Sequence, residues 1–268
     1  MNLAAACAFV EREGTPLERA RLHALLSRRA APAVPEELAA ATHADGGWAL
    51  DWEPDRPSSL HATVHALDAL ADLGLLETPA AQAGLDFMSM HQSRRGIWRE
   101  AGELATWELP LWMDSTNPAA DVYTTALCAG ALAQYGGNEL VVDRGVNWLQ
   151  TQQGRAGLLP GWKLHSSWLA LPAFVQVLDV QTRSTRRLVG GLGEALGADW
   201  TGDMLTGCLS ACLAAGYTLH TTLVARAWDL LRAQQGSDGG WSVAEDERPA
   251  VALQAVAVAL QIELGHGR

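Results

Sequence analysis

The chain has 268 residues, 49% of them hydrophobic and 18% charged, and a formal net charge of −11. This composition predicts a folded core that needs no disulfides, and the acidic balance argues against nucleic-acid binding, which uses a basic surface. The N-terminus lacks the basic region of a signal peptide, and no apolar run reaches the ~20 residues that span a bilayer. We therefore expect a cytoplasmic protein.

The predicted elements are helices of two kinds that alternate along the chain. Residues 2–12 are expected to form an inner helix, and Thr15-Pro16 starts an outer helix that runs to about Arg29. Nearly apolar segments follow, beginning near Pro57, Ala119, His165, Gly202 and Arg248. Helices that are apolar all round are buried, whereas the amphipathic segments between them have a solvent face. Ala and Leu outnumber the β-branched residues typical of strands, so we predict an all-α fold.

Tryptophan-ended repeats separate the apolar segments. Three strong copies align at 84–98, 145–162 and 227–241, each with a small first residue. The matching glutamines are Gln92, Gln153 and Gln235, and the closing tryptophans, weaker copies included, are Trp48, Trp98, Trp162, Trp200 and Trp241. A period of roughly 40–60 residues indicates stacked supersecondary units. Alternating inner and outer helices are typical of a closed α/α barrel, here of about five or six hairpins in a single domain over residues 1–268.

The inner helices are expected to begin at polar residues. Ser59, Asp121, Ser167 and Asp203 take equivalent places when the apolar segments are stacked. Ser and Asp side chains accept hydrogen bonds from the unpaired amides of a first helical turn. Capping is therefore one interpretation of these four residues, and a catalytic role for the two aspartates is the alternative.

The Gln…Gly-x-Trp repeat followed by an apolar helix resembles the Gln-Trp repeats of class II terpenoid cyclases such as squalene–hopene cyclase and oxidosqualene cyclase. The wider superfamily includes protein prenyltransferase β subunits. The resemblance covers roughly residues 35–265. It implies an α-α toroid in which the repeat Gln ties helix ends together and the repeat Trp packs between neighbouring outer helices.

The resemblance also implies an acid at the start of an inner helix, in an Asp-x-Asp-Asp motif. The matching segment here is Asp121-Val122-Tyr123-Thr124, with Tyr123 at the place of the proton donor. A phenol, whose pKa is near 10, is too weak an acid to protonate carbon. The candidate catalytic residues are therefore Asp121 and, in a later segment, Asp203.

The candidate ligand-binding residues are aromatic. Stacking the inner helices places His61 at the position of Tyr123, so both are expected to face one central cavity. Trp168 of a later inner helix and Trp107 and Trp112 of a long loop complete the set. Aromatic faces favour apolar or cationic groups. The zinc-binding Asp-x-Cys pair of the prenyltransferases is absent, so we predict no metal site.

The loops that follow the repeat tryptophans are predicted to form an acidic rim. Their acidic residues are Asp51, Glu53, Asp55, Glu100, Glu103, Glu108, Asp114, Glu245, Asp246 and Glu247. The basic residues there are Arg56, Arg99, Lys163 and Arg248. An acidic rim repels a diphosphate unless Mg²⁺ bridges it. We therefore expect no cofactor, and Mg²⁺ only with a ligand that carries a diphosphate.

Two functional hypotheses follow. The first is a terpenoid cyclase-like protein that binds a hydrophobic, isoprenoid ligand in a central cavity and catalyses its acid-initiated cyclisation or isomerisation. The alternative is a non-catalytic lipid- or protein-binding toroid that acts as a scaffold or partner subunit. In either case the apolar loop 98–120 is a lid, a contact with a membrane surface or partner protein, or a segment folded back onto the barrel. A carbohydrate-active (α/α) enzyme is a third hypothesis, which the repeats disfavour.

Overall fold

Helices form most of the computed structural model, which describes residues 1–244 and 247–265. In chain order they are α1 Leu3–Glu13, α2 Pro16–Ser27, α3 Glu36–Ala40, α4 Leu60–Asp72, α5 Pro79–Met90, α6 Pro118–Tyr135, α7 Glu139–Gln152, α8 Lys163–Leu169, α9 Leu171–Leu178, α10 Arg183–Ala195, α11 Gly202–Ala214, α12 Thr222–Ala233 and α13 Arg248–Gly265. A short antiparallel pair, β1 Trp48–Ala49 and β2 Ser58–Ser59, precedes α4. The prediction of an all-α fold is confirmed.

Local sequence signals set the ends of several helices. Thr15 and Glu18 form a capping box at the start of α2, with Pro16 as its first residue. The Asn117 side chain caps α6, and Gly136 ends that helix with φ +82°, a conformation that glycine adopts without strain.

The described residues form two compact units. Unit 1 comprises Met1–Ala31, Asp72–Gly74 and the described part of Gly193–Arg268. Unit 2 comprises Pro32–Ala71 and Leu75–Leu192. The single domain expected from the sequence remains a prediction.

Each unit is built around one long, nearly apolar helix. In unit 1, α13 packs against α1, α2 and α11. In unit 2, α6 packs against α7, α8 and α9, and its residues from Ala120 to Leu132 are buried apart from Tyr123. Both enclosed helices are among the five segments that the sequence marks as nearly apolar on all sides.

The repeat glutamines tie one helical hairpin to the next. The Nε2 atoms of Gln92, Gln153 and Gln235 donate to the carbonyl oxygens of Val141 in α7, Ser184 in α10 and Asn2 just before α1, at 2.8, 3.0 and 3.0 Å respectively. Each Gln also donates to the glycine carbonyl four residues later, closing its own loop. The shared geometry explains why Gln recurs, because its amide donates from Nε2 and also accepts at Oε1, from Arg144, Ser184 and Asn2 N respectively.

The N-terminal helices have the reverse of their expected roles. Gln235 contacts the start of α1 just as Gln92 contacts the start of α7, and α1 packs on α13 as α7 packs on α6. Thus α1 is the outer, amphipathic helix and α2 packs beside α13 as an inner one. The prediction of an inner helix over residues 2–12 is wrong because its apolar stretch covers only one face.

The capping prediction holds for Ser59, whose Oγ accepts from Ala62 N at 3.2 Å. It is wrong for Asp121 and Ser167, because α6 begins earlier at the Asn117 cap and α8 begins at Lys163. Asp203 lies inside the first turn of α11, after Thr201. Helix α6 begins upstream of Asp121 because Pro118 suits the first position of a helix.

Candidate aromatic ligand site

Four rings stand in series on unit 2. His61 of α4 stacks with Tyr123 of α6, Trp162 meets Tyr123 edge-on just before α8, and Trp112 of the 98–120 loop meets Trp162 edge-on. Each of the three steps measures 6.3 Å between ring centroids. We call His61, Tyr123, Trp162 and Trp112 the aromatic wall. The structure thus brings together three of the predicted ligand-binding residues and adds Trp162.

Trp162 reaches the wall because the third repeat departs from the pattern of the first two. The backbone amides of Trp48 and Trp98 donate to Thr63 and Thr125 of the following inner helices, at 3.0 and 3.1 Å. In the third repeat the corresponding donor is Leu159, whose amide donates to Ser167 Oγ at 2.9 Å. Leu159 is fully buried, as Trp48 and Trp98 are. The alignment of Trp162 with the structural repeat tryptophans is therefore wrong by three residues.

The true repeat tryptophans are closely packed in the core. Trp98 Nε1 donates to the Met88 carbonyl at 2.7 Å, and a Cβ placed on Gly145 of α7 would lie 2.7 Å from the Trp98 ring. Trp48 meets Gly84 of α5 at the same distance. The small first residue of a repeat therefore makes room for the preceding repeat's indole, and Trp162, half-buried, is free of this packing role.

The wall carries no charge near neutral pH. Burial, and secondarily the neighbouring His65, lowers the pKa of His61 well below its ordinary value, so its imidazole is neutral. Burial raises the pKa of Tyr123, so its phenol stays protonated. The Tyr123 hydroxyl lies 3.5 Å from His61 Nε2. Both side chains are half-buried, so part of each ring remains accessible to a ligand.

A polar ladder continues from the wall along α4. His61 Nε2 lies 3.3 Å from His65 Nε2, and His65 Nδ1 lies 3.8 Å from Asp68 Oδ2. The Tyr135 hydroxyl, at the end of α6, donates to Asp68 Oδ1 at 2.5 Å. We call His65, Asp68 and Tyr135 the polar ladder. Its residues lie along one face of α4 and the adjoining end of α6.

Asp121 is held in an ion pair. Arg99 Nε and Nη2 donate to its two carboxylate oxygens at 2.7 and 2.5 Å, and Asp121 is 8% exposed. A guanidinium and a carboxylate in this two-bond arrangement form a strong, directional pair. The pair fastens the start of the 98–120 loop to the first turn of α6, two residues before Tyr123.

Glu100 fastens the same loop to α4. Its carboxylate accepts from the amides of Leu60 and His61 and from Ser59 Oγ, all at 2.9 Å. Glu100 is 4% exposed, and burial raises its pKa although these hydrogen bonds oppose the shift. Its expected place on an exposed acidic rim is therefore wrong, because the carboxylate satisfies buried donors at a helix N-terminus. Of the other acidic rim residues, Glu245 and Asp246 lie outside the described residues.

No family model matches the chain, and no curated protein matches it. Solved structures match it over nearly its whole length. A protein from Actinoplanes is 16% identical with a TM-score of 0.66, over 99% of this chain and 98% of its own. The type II terpene cyclase MstE from Scytonema, in apo form, is 15% identical with a TM-score of 0.65, over 98% and 97%. An MstE variant in complex with geranylgeranyl dihydroxybenzoate, its substrate, is 14% identical with a TM-score of 0.68, over 97% and 96%.

The chain has a class II terpenoid cyclase-like fold. The α-α toroid class implied by the Gln…Gly-x-Trp repeats is thereby confirmed. The identities are low, so the likeness concerns the fold.

The other three predicted site residues take no part in the ring contacts of the aromatic wall. Asp203 is half-buried in the first turn of α11 in unit 1. Trp168 is buried in α8 with its ring 4.4 Å from that of His165. Trp107 lies beneath the Arg56 guanidinium, 4.9 Å from ring centroid to carbon.

The 98–120 loop partly folds back onto unit 2. Leu104 and Met113 are buried together with Leu50. Trp107, Leu111 and Trp112 stay exposed on the same loop. The loop is therefore anchored at its base and keeps an apolar outer edge beside the wall.

The described residues offer no group of three or more His, Cys, Asp or Glu side chains placed to hold a metal ion. None of the helices in this part of the chain combines the length and the apolar character needed to cross a bilayer.

Proposed function

We propose that the protein binds an isoprenoid ligand against the aromatic wall of unit 2. The observation that carries this proposal is the series of four uncharged rings at 6.3 Å steps. Such rings offer an apolar surface to a hydrocarbon chain and stabilise positive charge through their faces. The MstE complex supports the ligand class, because that protein's substrate carries a geranylgeranyl group. The central cavity expected from the sequence remains a prediction.

The reaction that would use such a wall is acid-initiated cyclisation or isomerisation. A carboxyl proton adds to one alkene carbon, the resulting carbocation is attacked by a second alkene to form a C–C bond, and a proton then leaves carbon to restore a double bond. Tyr123 and Trp162 would stabilise the cation with their ring faces. In this proposal the acid at the wall is Asp121 of unit 2, and the role of Asp203 of unit 1 as an acid remains a prediction from the sequence.

A second candidate function is non-catalytic ligand binding, and a specific observation favours it. Both oxygens of Asp121 are occupied by Arg99, and the neighbouring position of the acid motif is the phenol Tyr123. Neither group is then a ready proton donor. The alternative function is therefore binding of the same ligand without a chemical reaction.

Binding is tested with geranylgeraniol, titrated into the full chain and followed by calorimetry. Trp162→Ala is expected to weaken binding about tenfold, or about 1.4 kcal/mol, because it removes one of the two inner rings of the wall. Trp148→Ala, a half-buried tryptophan of α7 outside the wall, is the matched control and should change the affinity less than twofold. Equal effects of the two substitutions, or no binding by the unmodified chain, would refute the proposal.

Catalysis is tested by incubating the chain with geranylgeraniol or a geranylgeranylated phenol and separating the isomeric products by chromatography and mass spectrometry. Cyclised product that is lost in Asp121→Asn or in Asp203→Asn identifies the acid. Full turnover by Asp121→Asn rules out Asp121. Tight binding without any product selects the non-catalytic function.

We also propose that the exposed edge of the 98–120 loop contacts a membrane surface or a partner protein. Sedimentation with vesicles tests the membrane contact, and pull-down tests the protein contact. The Leu111→Asp variant should weaken whichever contact occurs. A cytoplasmic location, the absence of a cofactor and the need for Mg²⁺ only with a diphosphate ligand remain predictions.

A further inference from the structure

We propose that the polar ladder recognises the head group of the isoprenoid ligand, and that it selects a neutral or cationic hydrogen-bond donor over a diphosphate. The head groups that fit are an alcohol, a phenol or an ammonium group. The inference rests on the proposed function, because it assumes that the hydrocarbon tail lies on the aromatic wall.

The ladder begins where the wall ends, so one ligand can contact both. His61 belongs to the wall and lies 3.3 Å from His65, the first residue of the ladder. Seven residues separate His61 from Asp68, and seven residues of α-helix rise about 10 Å. A ligand with its tail against Tyr123 and Trp162 therefore needs about 10 Å of further length past His61 to reach Asp68.

Asp68 supplies the acceptor. Its carboxylate receives one hydrogen bond from the Tyr135 hydroxyl and approaches His65 Nδ1. An ionised carboxylate offers about four lone-pair positions, so these two neighbours leave room for a ligand donor. The Asp68 side chain is 40% exposed, which keeps that room accessible. The Tyr135 bond also fixes the direction in which the carboxylate points.

The same surroundings disfavour an anion. The sequences of α4 and α6, which bear the ladder, contain no lysine or arginine. Arg99, near the start of α6, already donates to both oxygens of Asp121. Arg21, which reaches α4 from α2, likewise already donates to Asp72. A diphosphate beside Asp68 would place like charges together, with these two arginines already paired to other carboxylates, and Mg²⁺ would be needed as a bridge.

Three probes with one tail and different heads test the inference: geranylgeraniol, geranylgeranylamine and geranylgeranyl diphosphate. Calorimetry at pH 8, where a primary ammonium keeps its charge, measures each Kd on the full chain. We expect the amine to bind about tenfold more tightly than the alcohol, and the diphosphate without Mg²⁺ to bind at least tenfold more weakly than the alcohol. Asp68→Asn should remove the preference for the amine. Asp86→Asn, an exposed carboxylate on α5, is the control and should leave the order unchanged.

Failure of this inference differs from failure of the proposed function. Suppose that the alcohol binds and that Trp162→Ala weakens its binding. If the amine is then not preferred, or if Asp68→Asn does not change the order of the affinities, the head-group assignment is wrong and the proposed binding at the aromatic wall is retained. Diphosphate binding as tight as amine binding in Mg²⁺-free buffer also overturns the assignment. If none of the three probes binds, the wall proposal fails and the ladder assignment fails with it.

Discussion

Replacing Glu100 with alanine is expected to destabilise the protein by about 3 kcal/mol. The carboxylate receives three hydrogen bonds, from Ser59 Oγ and from the Leu60 and His61 amides. Each such bond contributes about 1 kcal/mol net, and a buried donor left without a partner costs about 1–3 kcal/mol. Relief from burying the carboxylate itself offsets part of this loss. Since whole domains are stable by about 5–15 kcal/mol, the change is large.

Urea unfolding followed by circular dichroism measures the effect as a shift in midpoint. The control is Glu103→Ala, an exposed acid three residues further along the same loop, which should change the unfolding free energy by less than about 0.5 kcal/mol. If Glu100→Ala matches this control, the carboxylate does not stabilise the start of α4 and the account of the loop anchor is wrong.

The Glu100 carboxyl also gives a pH signature of known sign. Burial raises its folded-state pKa above the ordinary value of 4.5. Between the ordinary pKa and the folded-state pKa, Glu100 binds more protons in the folded chain than in the unfolded chain. Its contribution to the unfolding free energy is therefore fully present below pH 4.5 and is lost as pH rises through the folded-state pKa. Glu100→Gln removes the titrating group and should flatten this part of the stability–pH curve. An unchanged slope in the variant would contradict the assignment.

Two further predictions concern the repeat geometry, both measured by urea unfolding. Gly145→Ala should lower the unfolding free energy by about 1–3 kcal/mol because its Cβ would lie 2.7 Å from the Trp98 ring. The control Gly190→Ala in α10, with open space around it, should instead raise the unfolding free energy by about 0.5–1 kcal/mol. Changes of the same sign in both variants would refute the packing argument. Gln153→Ala should lower the unfolding free energy by about 2 kcal/mol, because its side chain forms two hydrogen bonds with Ser184, at 3.0 and 2.6 Å. A loss below about 0.5 kcal/mol would contradict the role of Gln153 in linking neighbouring hairpins.

The repeats made the fold predictable because their constraints are local in sequence. A glutamine, a glycine with positive φ and a buried indole recur within a few residues of each other, as at Gln92, Gly96 and Trp98. The same register placed His61 opposite Tyr123, and the structure has their side chains 3.5 Å apart. Equivalent positions in neighbouring repeats meet because the repeats stack.

Prediction from sequence failed where one repeat deviates or where the decisive contact is distant. Leu159 fills the indole position of the third repeat, so the nearest tryptophan, Trp162, attracted the alignment. Glu100 lies in a loop that reads as solvated, and its partners are about 40 residues away in sequence. Only the packed structure shows that this acid is buried. The serine at position 167 gave the missing signal, since it matches Thr63 and Thr125 as a hydroxyl acceptor.

The clasp between Gln235 and Asn2 sets an order for biosynthesis. Asn2 N donates to Gln235 Oε1 at 2.6 Å, and Gly239 lies against the backbone of Ala5. These contacts of α1 can form only after more than 230 further residues have been synthesised. The two segments of unit 2, Pro32–Ala71 and Leu75–Leu192, are made before that point. During synthesis α1 therefore lacks its contacts with Gln235, Gly239 and α13 until those residues have been made.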